Sequence, residues 1–536
     1  MALNKIIFSA LTCMMSFNAV NAQEYAPTWG NWNSWGDQND GTYCNPIIPS
    51  DYSDLDCIKV GEDYYAITST FQFSPGMTVL HSKDLVNWEI CGHAVPDLTQ
   101  IGPELNWNRM NRYGKGIWAG TLRYHEGRFY IFFGTPDEGF FMTSAPKAEG
   151  PWEPLTQLMS EKGWDDCSVM WDTDGKAYFV GTHFADGYKT YLYDMSTDGK
   201  SIDLKSARLV NEGGYREANK LIKVGDWYYL VFSEHRSDKG RYVMAKRSRC
   251  ITGPYEEEKQ LALPSREYKE PNQGGIVEGK SGEWYFLTHH GTGDWAGRVA
   301  SLLPVTWIDG WPIIGTVIGD SIGSMCWTGK MPFDGKNKYE IKTSDDFKGK
   351  ELDVQWQWNY QPRIEKFSLR ERKGWLRLKA FKPLKENRLL SAGNTLTQRC
   401  FRTKHSEVTV KMDISGMADG QRSGLCHFSS HSGAIGLVKD GDLCYIEYRH
   451  DDNSLKGPSV ESKYVWLKSE WGLDGKSKFY YSIDGNNFIQ FGDEYQLCWG
   501  YYRGDRLGLY CFNDKSEDGY VDIDFFNYKM DNTTVH

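Results

Sequence analysis

Hydrophobic and polar positions along the chain alternate with a period near two, and one local pattern recurs: a glycine turn, paired aromatics, then an apolar run. It appears at Gly61 to Ile67, Gly127 to Ile131, Gly175 to Val180, Gly225 to Leu230 and Gly282 to Leu287. Period-two alternation around a glycine turn predicts a β-hairpin. The five glycines are 66, 48, 50 and 57 positions apart, about the length of a four-stranded antiparallel blade. The pattern therefore predicts a five-bladed β-propeller, whose functional groups belong at the starts of the innermost strands. Residues shortly upstream of each hairpin are the ones to search.

After Gly315 the repeat stops. From Phe347 short alternating strands resume without the glycine and aromatic signature, among them Leu352 to Trp358, Trp375 to Leu378, Val408 to Met412, Phe479 to Gly485 and Val521 to Phe526. Frequent Gly and Asp turns between such strands predict a β-sandwich of the jelly-roll or concanavalin-like kind. The expected fold is all-β, with no long amphipathic helix. The expected organisation is a propeller over residues 23–325, a linker over 326–345 and a sandwich over 346–536.

The first 22 residues are read separately. Lys5, the apolar run Ile6 to Met15 and the small residues before Ala22 have the layout of a signal peptide, so export to the periplasm or medium is expected. Its apolar run is too short to span a membrane, and no later segment supplies a span. Removing Cys13 leaves 11 of 12 cysteines and no C-x-x-C pair, which speaks against zinc or redox roles and for small buried hydrophobes.

Composition narrows the function. With 61 Lys and Arg against 71 Asp and Glu, the net charge of −10 leaves no basic surface for nucleic acid. Aromatic residues reach 15%, with 21 Trp and 32 Tyr. Most of these fill β cores, but flat rings also stack on the apolar faces of sugars.

Three carboxylates stand out from the many surface ones. Asp54 lies where the first inner strand begins, Asp166 nine residues before Gly175, and Glu217 eight before Gly225. Inner-strand starts from different blades converge on one axis, and converging carboxylates drive their pKa values apart. Hydrolysis of a glycosidic bond needs such a division, with one carboxylate ionised to activate water and one protonated to assist the leaving oxygen. Asp56 and Asp165 are the local rivals of Asp54 and Asp166.

At this point the chain resembles the family 43 glycoside hydrolases, which are five-bladed propellers. The likeness rests on Phe71 to Gly92 with Ser74-Pro75-Gly76 and His81 to Trp88, on Gly116-Ile117-Trp118-Ala119, and on the turns Gly150-Pro151-Trp152 and Gly253-Pro254-Tyr255. It continues in Gly297-Arg298 and Leu303 to Pro312, and Trp356 to Trp358 with Tyr481 to Gly485 is similar to the sandwich appended to many members. The resemblance implies Asp54 as general base, Asp166 as the carboxylate that tunes the acid and orients substrate, and Glu217 as general acid. It implies sugar contacts from Phe71, Trp118, Arg298 and Phe141 or its neighbour Phe140. His289 and His290 match a histidine near a calcium-centred water cluster, so a structural calcium in the channel is implied, with no cofactor required for chemistry.

The expected activity is an inverting, exo-acting removal of terminal α-L-arabinofuranosyl or β-D-xylosyl residues from plant polysaccharide or oligosaccharide side chains. The alternatives are a β-D-xylosidase or galactosidase of the same family, or a carbohydrate-binding propeller without catalysis. The sandwich is expected to brace the propeller and close the pocket.

Overall fold

The computed structural model describes residues 35–236, 240–264, 271–289, 293–319, 321–333 and 338–531. The expected signal peptide, residues 1–22, and His290 lie outside them. Strands dominate the described residues; helical turns are short 3-10 segments, and no helix is long and apolar enough to cross a membrane.

Each repeated glycine sits in the turn that joins the first two strands of a sheet. Gly61, Gly127, Gly175, Gly225 and Gly282 all take left-handed φ, between 57° and 89°, where a Cβ would be strained. The sheets run consecutively, beginning with Asp56–Val60, Gly120–His125, Trp164–Trp171, Arg216–Val224 and Gly274–Glu278. These first strands neighbour one another in sequence order and the fifth neighbours the first, which closes a β-propeller around a central axis. Closure is fastened by Ile48–Asp51, which pairs with Val299 and Ala300 in the last sheet.

The second unit is a sandwich of two sheets. One contains Ser406–Asp413 and Tyr464–Trp471, whose buried and partly exposed residues alternate as a half-buried strand requires. The other runs from Asn453–Val460 through Gln421–Phe428 and Arg506–Asn513 to Gln357–Asn359, and its last strand, Phe73–Ser74, comes from the propeller.

The two units therefore share structure as well as a boundary. Arg399 Nε donates to Asp51 O at 2.7 Å, Ser50 Oγ to Cys400 O at 2.8 Å, and Tyr360 N to Gln72 O at 3.0 Å. One hydrophobic cluster joins propeller residues such as Leu55, Trp88 and Leu302 to sandwich residues such as Trp356, Leu396 and Leu509. The stretch read as a linker is partly strand, since Thr328–Lys330 pairs with Thr42–Cys44. All eleven described cysteines are free, and seven are buried.

A chain ended at residue 325 would uncover this shared core and leave the Phe73–Ser74 strand unpaired. It is expected to give little soluble, cooperatively unfolding protein; a soluble product with the thermal midpoint of the full chain would refute the dependence.

Candidate active site

One depression on the propeller axis is lined by Asp54, Phe71, Trp118, Asp165, Asp166, Tyr188, Tyr215, Glu217, His235, Arg241, Asn272, Gln273, Arg298 and Tyr502. Every sheet contributes at or near the start of its first strand, and the sandwich contributes Tyr502.

Local irregularity aims the carboxylates. Pairing of Trp164–Trp171 with its neighbour shifts register between Asp165 and Ser168, and pairing of Arg216–Val224 shifts between Glu217 and Lys220. Such bulges bend a strand and re-aim its side chains. Asp54, Asp166 and Ala218 have φ of 56°, 48° and 65°, a left-handed backbone that non-glycine residues adopt at a cost.

Asp54 is buried but well supplied with partners. Its Oδ2 accepts from Ser69 Oγ at 2.6 Å and from an Arg298 guanidinium nitrogen at 2.9 Å, while His289 Nε2 lies 3.6 Å from Oδ1. Burial is the largest single influence and would raise this carboxyl. Arg298, His289 and Ser69 together outweigh it and hold Asp54 below the usual carboxylate range.

The opposite group behaves differently. Asp166 Oδ2 accepts from Ala218 N at 2.7 Å and Oδ1 from Gln273 Nε2 at 3.0 Å, yet burial, Glu217 and Asp54 push its pKa up. Asp165 is raised too, by burial and then by Asp166, and its Oδ1 has no hydrogen-bond partner. Glu217 forms an ion pair with Arg241. The depression thus holds Asp54, kept ionised by its partners, the pair Asp165 and Asp166, which burial and carboxylate neighbours push toward retaining a proton, and Glu217 paired with Arg241.

Asp56, the rival of Asp54, has another place and another job. It lines the other end of the channel, where Arg123 and Lys220 flank it at 2.9 and 3.7 Å and Thr121 Oγ1 and Leu122 N donate to it. Its charge balances the buried Lys220 and the partly buried Arg123.

Of the proposed sugar contacts, Phe71, Trp118 and Arg298 line the depression and Phe141 does not. Phe141 is 3% exposed and stacks on Phe133, with centroids 5.8 Å apart, inside the second sheet's core. Phe140 is fully buried against Trp164 and Phe179. Both lie on Gly139–Ala145, a central strand covered on both faces, which leaves neither ring a route to the axis. Trp118 donates its indole N–H to Gly114 O at 3.0 Å and packs at 5.9 Å from Tyr502. Gly116, at φ 91°, lets the chain pass Phe71, since a Cβ there would lie 2.5 Å from Phe71 O.

Calcium takes six to eight oxygens, water among them; at His289, the expected neighbour of such an ion, Asp54 is the nearby carboxylate, and it also meets Ser69 and Arg298. Among the described residues His289 joins no group of three close His, Cys, Asp or Glu ligand atoms.

Sequence reasoning missed Tyr188, Tyr215, His235, Arg241, Asn272, Gln273 and Tyr502. Asn272 and Gln273 precede the fifth inner strand, so the rule that singled out Asp54, Asp166 and Glu217 reaches them as well. Nothing local marks Tyr502, which sits on a sandwich loop more than 200 residues from Arg298.

A β-propeller whose axis gathers a cation-held carboxylate, a proton-retaining carboxylate cluster and aromatic walls is the framework of a glycoside hydrolase. Comparison with known proteins agrees: the profile of glycosyl hydrolases family 43 matches residues 43–312, and that of the beta xylosidase C-terminal concanavalin A-like domain matches 344–529. The chain belongs to glycosyl hydrolases family 43. It is similar to a beta-xylosidase of Formosa agariphila, 35% identical over 93% of this chain and 92% of that protein. It also resembles a non-reducing end alpha-L-arabinofuranosidase of Bacteroides ovatus, 29% identical over 63% of this chain and 65% of that one. Among solved structures, a bifunctional GH43-CE protein of Bacteroides eggerthii superposes with a TM-score of 0.80 at 30% identity, over 93% of this chain and 64% of that longer one.

Replacing Asp56 by Ala strands Arg123 and Lys220 without their buried counter-charge. Breaking such a pair costs about 3–5 kcal/mol, so a marked fall in the urea midpoint is expected; an unchanged midpoint would assign Asp56 elsewhere.

Proposed function

We propose that this enzyme is an exported, exo-acting glycosidase that removes terminal pentoses from plant polysaccharide or oligosaccharide side chains with inversion at the anomeric carbon. In this reading the five sheets are the five blades of the catalytic propeller, over residues 23–325, and the sandwich over 346–536 is its accessory unit. β-D-Xylose is the better supported sugar, because the relative named a beta-xylosidase matches at higher identity and over more of the chain than the one named an arabinofuranosidase. The relatives' names are the support for this choice.

The observation that carries the mechanism is the contrast across the depression. Asp54 is held ionised by Arg298, His289 and Ser69, while burial and carboxylate neighbours raise Asp166 beside Glu217. Asp54 is then the base that takes a proton from water as its oxygen attacks the anomeric carbon. Glu217 gives its proton to the departing glycosidic oxygen, and Asp166 beside it tunes that acid and orients the substrate. An inverting pair stands about 6.5–9.5 Å apart to admit the water. The side chains supply this chemistry without a cofactor.

Exo action follows from closure. Tyr502 reaches over the depression beside Trp118, and its carbonyl accepts from Arg298 Nε at 3.1 Å, so the floor and one wall are fixed together. A pocket walled on that side receives a chain end more readily than a chain interior.

Three measurements test the reading. Glu217→Ala is expected to lose about 10²- to 10⁴-fold in kcat on unactivated pentosides, the usual share of acid catalysis; unchanged hydrolysis would remove Glu217 from its role. Proton NMR of the first product should show the inverted anomer, and retention would exclude Asp54 as base on water. The third is a pH profile. Because the base must be ionised and its pKa lies below normal, the acidic limb of kcat/KM should fall below the ordinary carboxylate range, and Arg298→Ala should move that limb to higher pH. A panel of xylosides, arabinosides and galactosides then ranks the sugars.

A further inference from the structure

Two tyrosines in the depression are used by neither the acid, the base nor the closure of the pocket. Tyr188 and Tyr215 face each other at 5.1 Å between centroids, tilted by 45°, and Tyr215 meets His235 edge-on at 5.8 Å. Neither belongs to a hydrophobic core cluster, and Tyr215 is 57% exposed, unusual for a ring on a strand-anchored turn. Both have left-handed backbones, with φ of 61° and 59°, a conformation that a non-glycine residue adopts at a cost and keeps where the surroundings enforce it.

The enforcement is visible at Tyr215. Its neighbour Arg216 donates to Glu234, to both oxygens of Glu258 and to Asn211, at 2.8 to 3.0 Å. His235 N donates to Tyr215 O at 3.3 Å. With Arg216 anchored, the left-handed turn at Tyr215 and the register shift that begins at Glu217 leave both flanking side chains lining the depression. Tyr188 stands near both, for burial and then the charges of Glu217 and Tyr215 are what push its hydroxyl up.

We infer that Tyr188 and Tyr215 form the surface on which the leaving sugar ring lies, so that the enzyme selects a saccharide on the departing side of the scissile bond. The inference rests on the reading of Glu217 as the acid. The atom that Glu217 protonates is the leaving oxygen, and the ring attached to that oxygen must therefore lie beside Glu217. Phe71, Trp118, Arg298 and Tyr502 gather on the Asp54 side and wall in the terminal sugar. The two tyrosines gather on the Glu217 side, where an apolar sugar face needs a flat partner.

The test compares two substrates that share the terminal pentose and differ only in what departs: a xylo-oligosaccharide and xylosyl fluoride, whose leaving group has no ring. Tyr215→Ala and Tyr188→Ala should each lower kcat/KM on the oligosaccharide about three- to tenfold more than on the fluoride, the size of one aromatic contact. Tyr215→Phe, which keeps the ring, should restore the wild-type ratio. An equal loss on both substrates, or a change of ratio below about twofold, would overturn the inference, and thermal unfolding of each variant separates a folding defect from either result. Glu217→Ala assayed on the same pair keeps the two readings apart. Loss confined to the oligosaccharide supports the acid, equal loss on the fluoride sinks it, and the tyrosine ratio is judged on its own.

Discussion

Arg298 joins parts of the molecule that are far apart in the chain. Its guanidinium binds Asp54 and Ser53, its Nε reaches the carbonyl of Tyr502 in the sandwich, and its backbone N–H donates to Asp51 at 3.2 Å. Asp51 in turn accepts from Gly504 N, two residues after Tyr502. Four carboxylates share the depression, and ionising all of them in a buried site would cost more than the fold could bear. Placing the arginine at one edge resolves the conflict unevenly: Asp54, which it touches, is held below the usual carboxylate range, while Asp165 and Asp166 beyond it are pushed up. The contrast between Asp54 and Asp166 thus depends on where one cation sits.

That placement needs both units. The closing strand pair of the propeller brings Val299, directly after Arg298, against Asp51, and Gly297 at φ 82° passes so close to Asp51 that a Cβ would lie 2.3 Å from its Oδ1. Gly504 makes the matching approach from the sandwich, where a Cβ would meet Gly297 N at 2.3 Å. Two glycines meeting at one carboxylate let the sandwich loop lie flat on the propeller rim, and Tyr502 projects from that loop. The sandwich is therefore part of the wall of the site, and the shared sheet at Phe73–Ser74 holds it there.

The legible part of this arrangement was the part written locally. Five glycine turns with paired aromatics mark where strands turn back, and the residues that open each inner strand supply Asp54, Trp118, Asp166, Glu217 and Gln273. Choosing Asp54 over Asp56 on local grounds is harder, because two residues apart on an extended segment they share composition and burial. Only the partners separate them: Arg298 and His289 for one, Arg123 and Lys220 for the other. Phe141 fails for a related reason, since an aromatic run reads the same whether its strand faces the axis or the space between sheets. Tyr502 comes from the other domain, Arg241 from the third strand of its sheet and Tyr188 from a turn, and their positions depend on tertiary packing that no local pattern encodes.

The same logic explains why strain collects at the axis. Asp54, Phe71, Asp166, Tyr188, Tyr215 and Ala218 all have φ between 48° and 65°. Regular strands would alternate these side chains between the two faces of each sheet and leave none pointing along the axis. A left-handed residue or a bulge at the start of the strand is what turns a side chain into the depression. The sheets behind each start are continuous, hydrogen-bonded and buried, so they hold a local cost that an isolated loop would relax. The irregularities at the depression are short and their supports are not, so each carboxylate is aimed from a continuous hydrogen-bonded sheet.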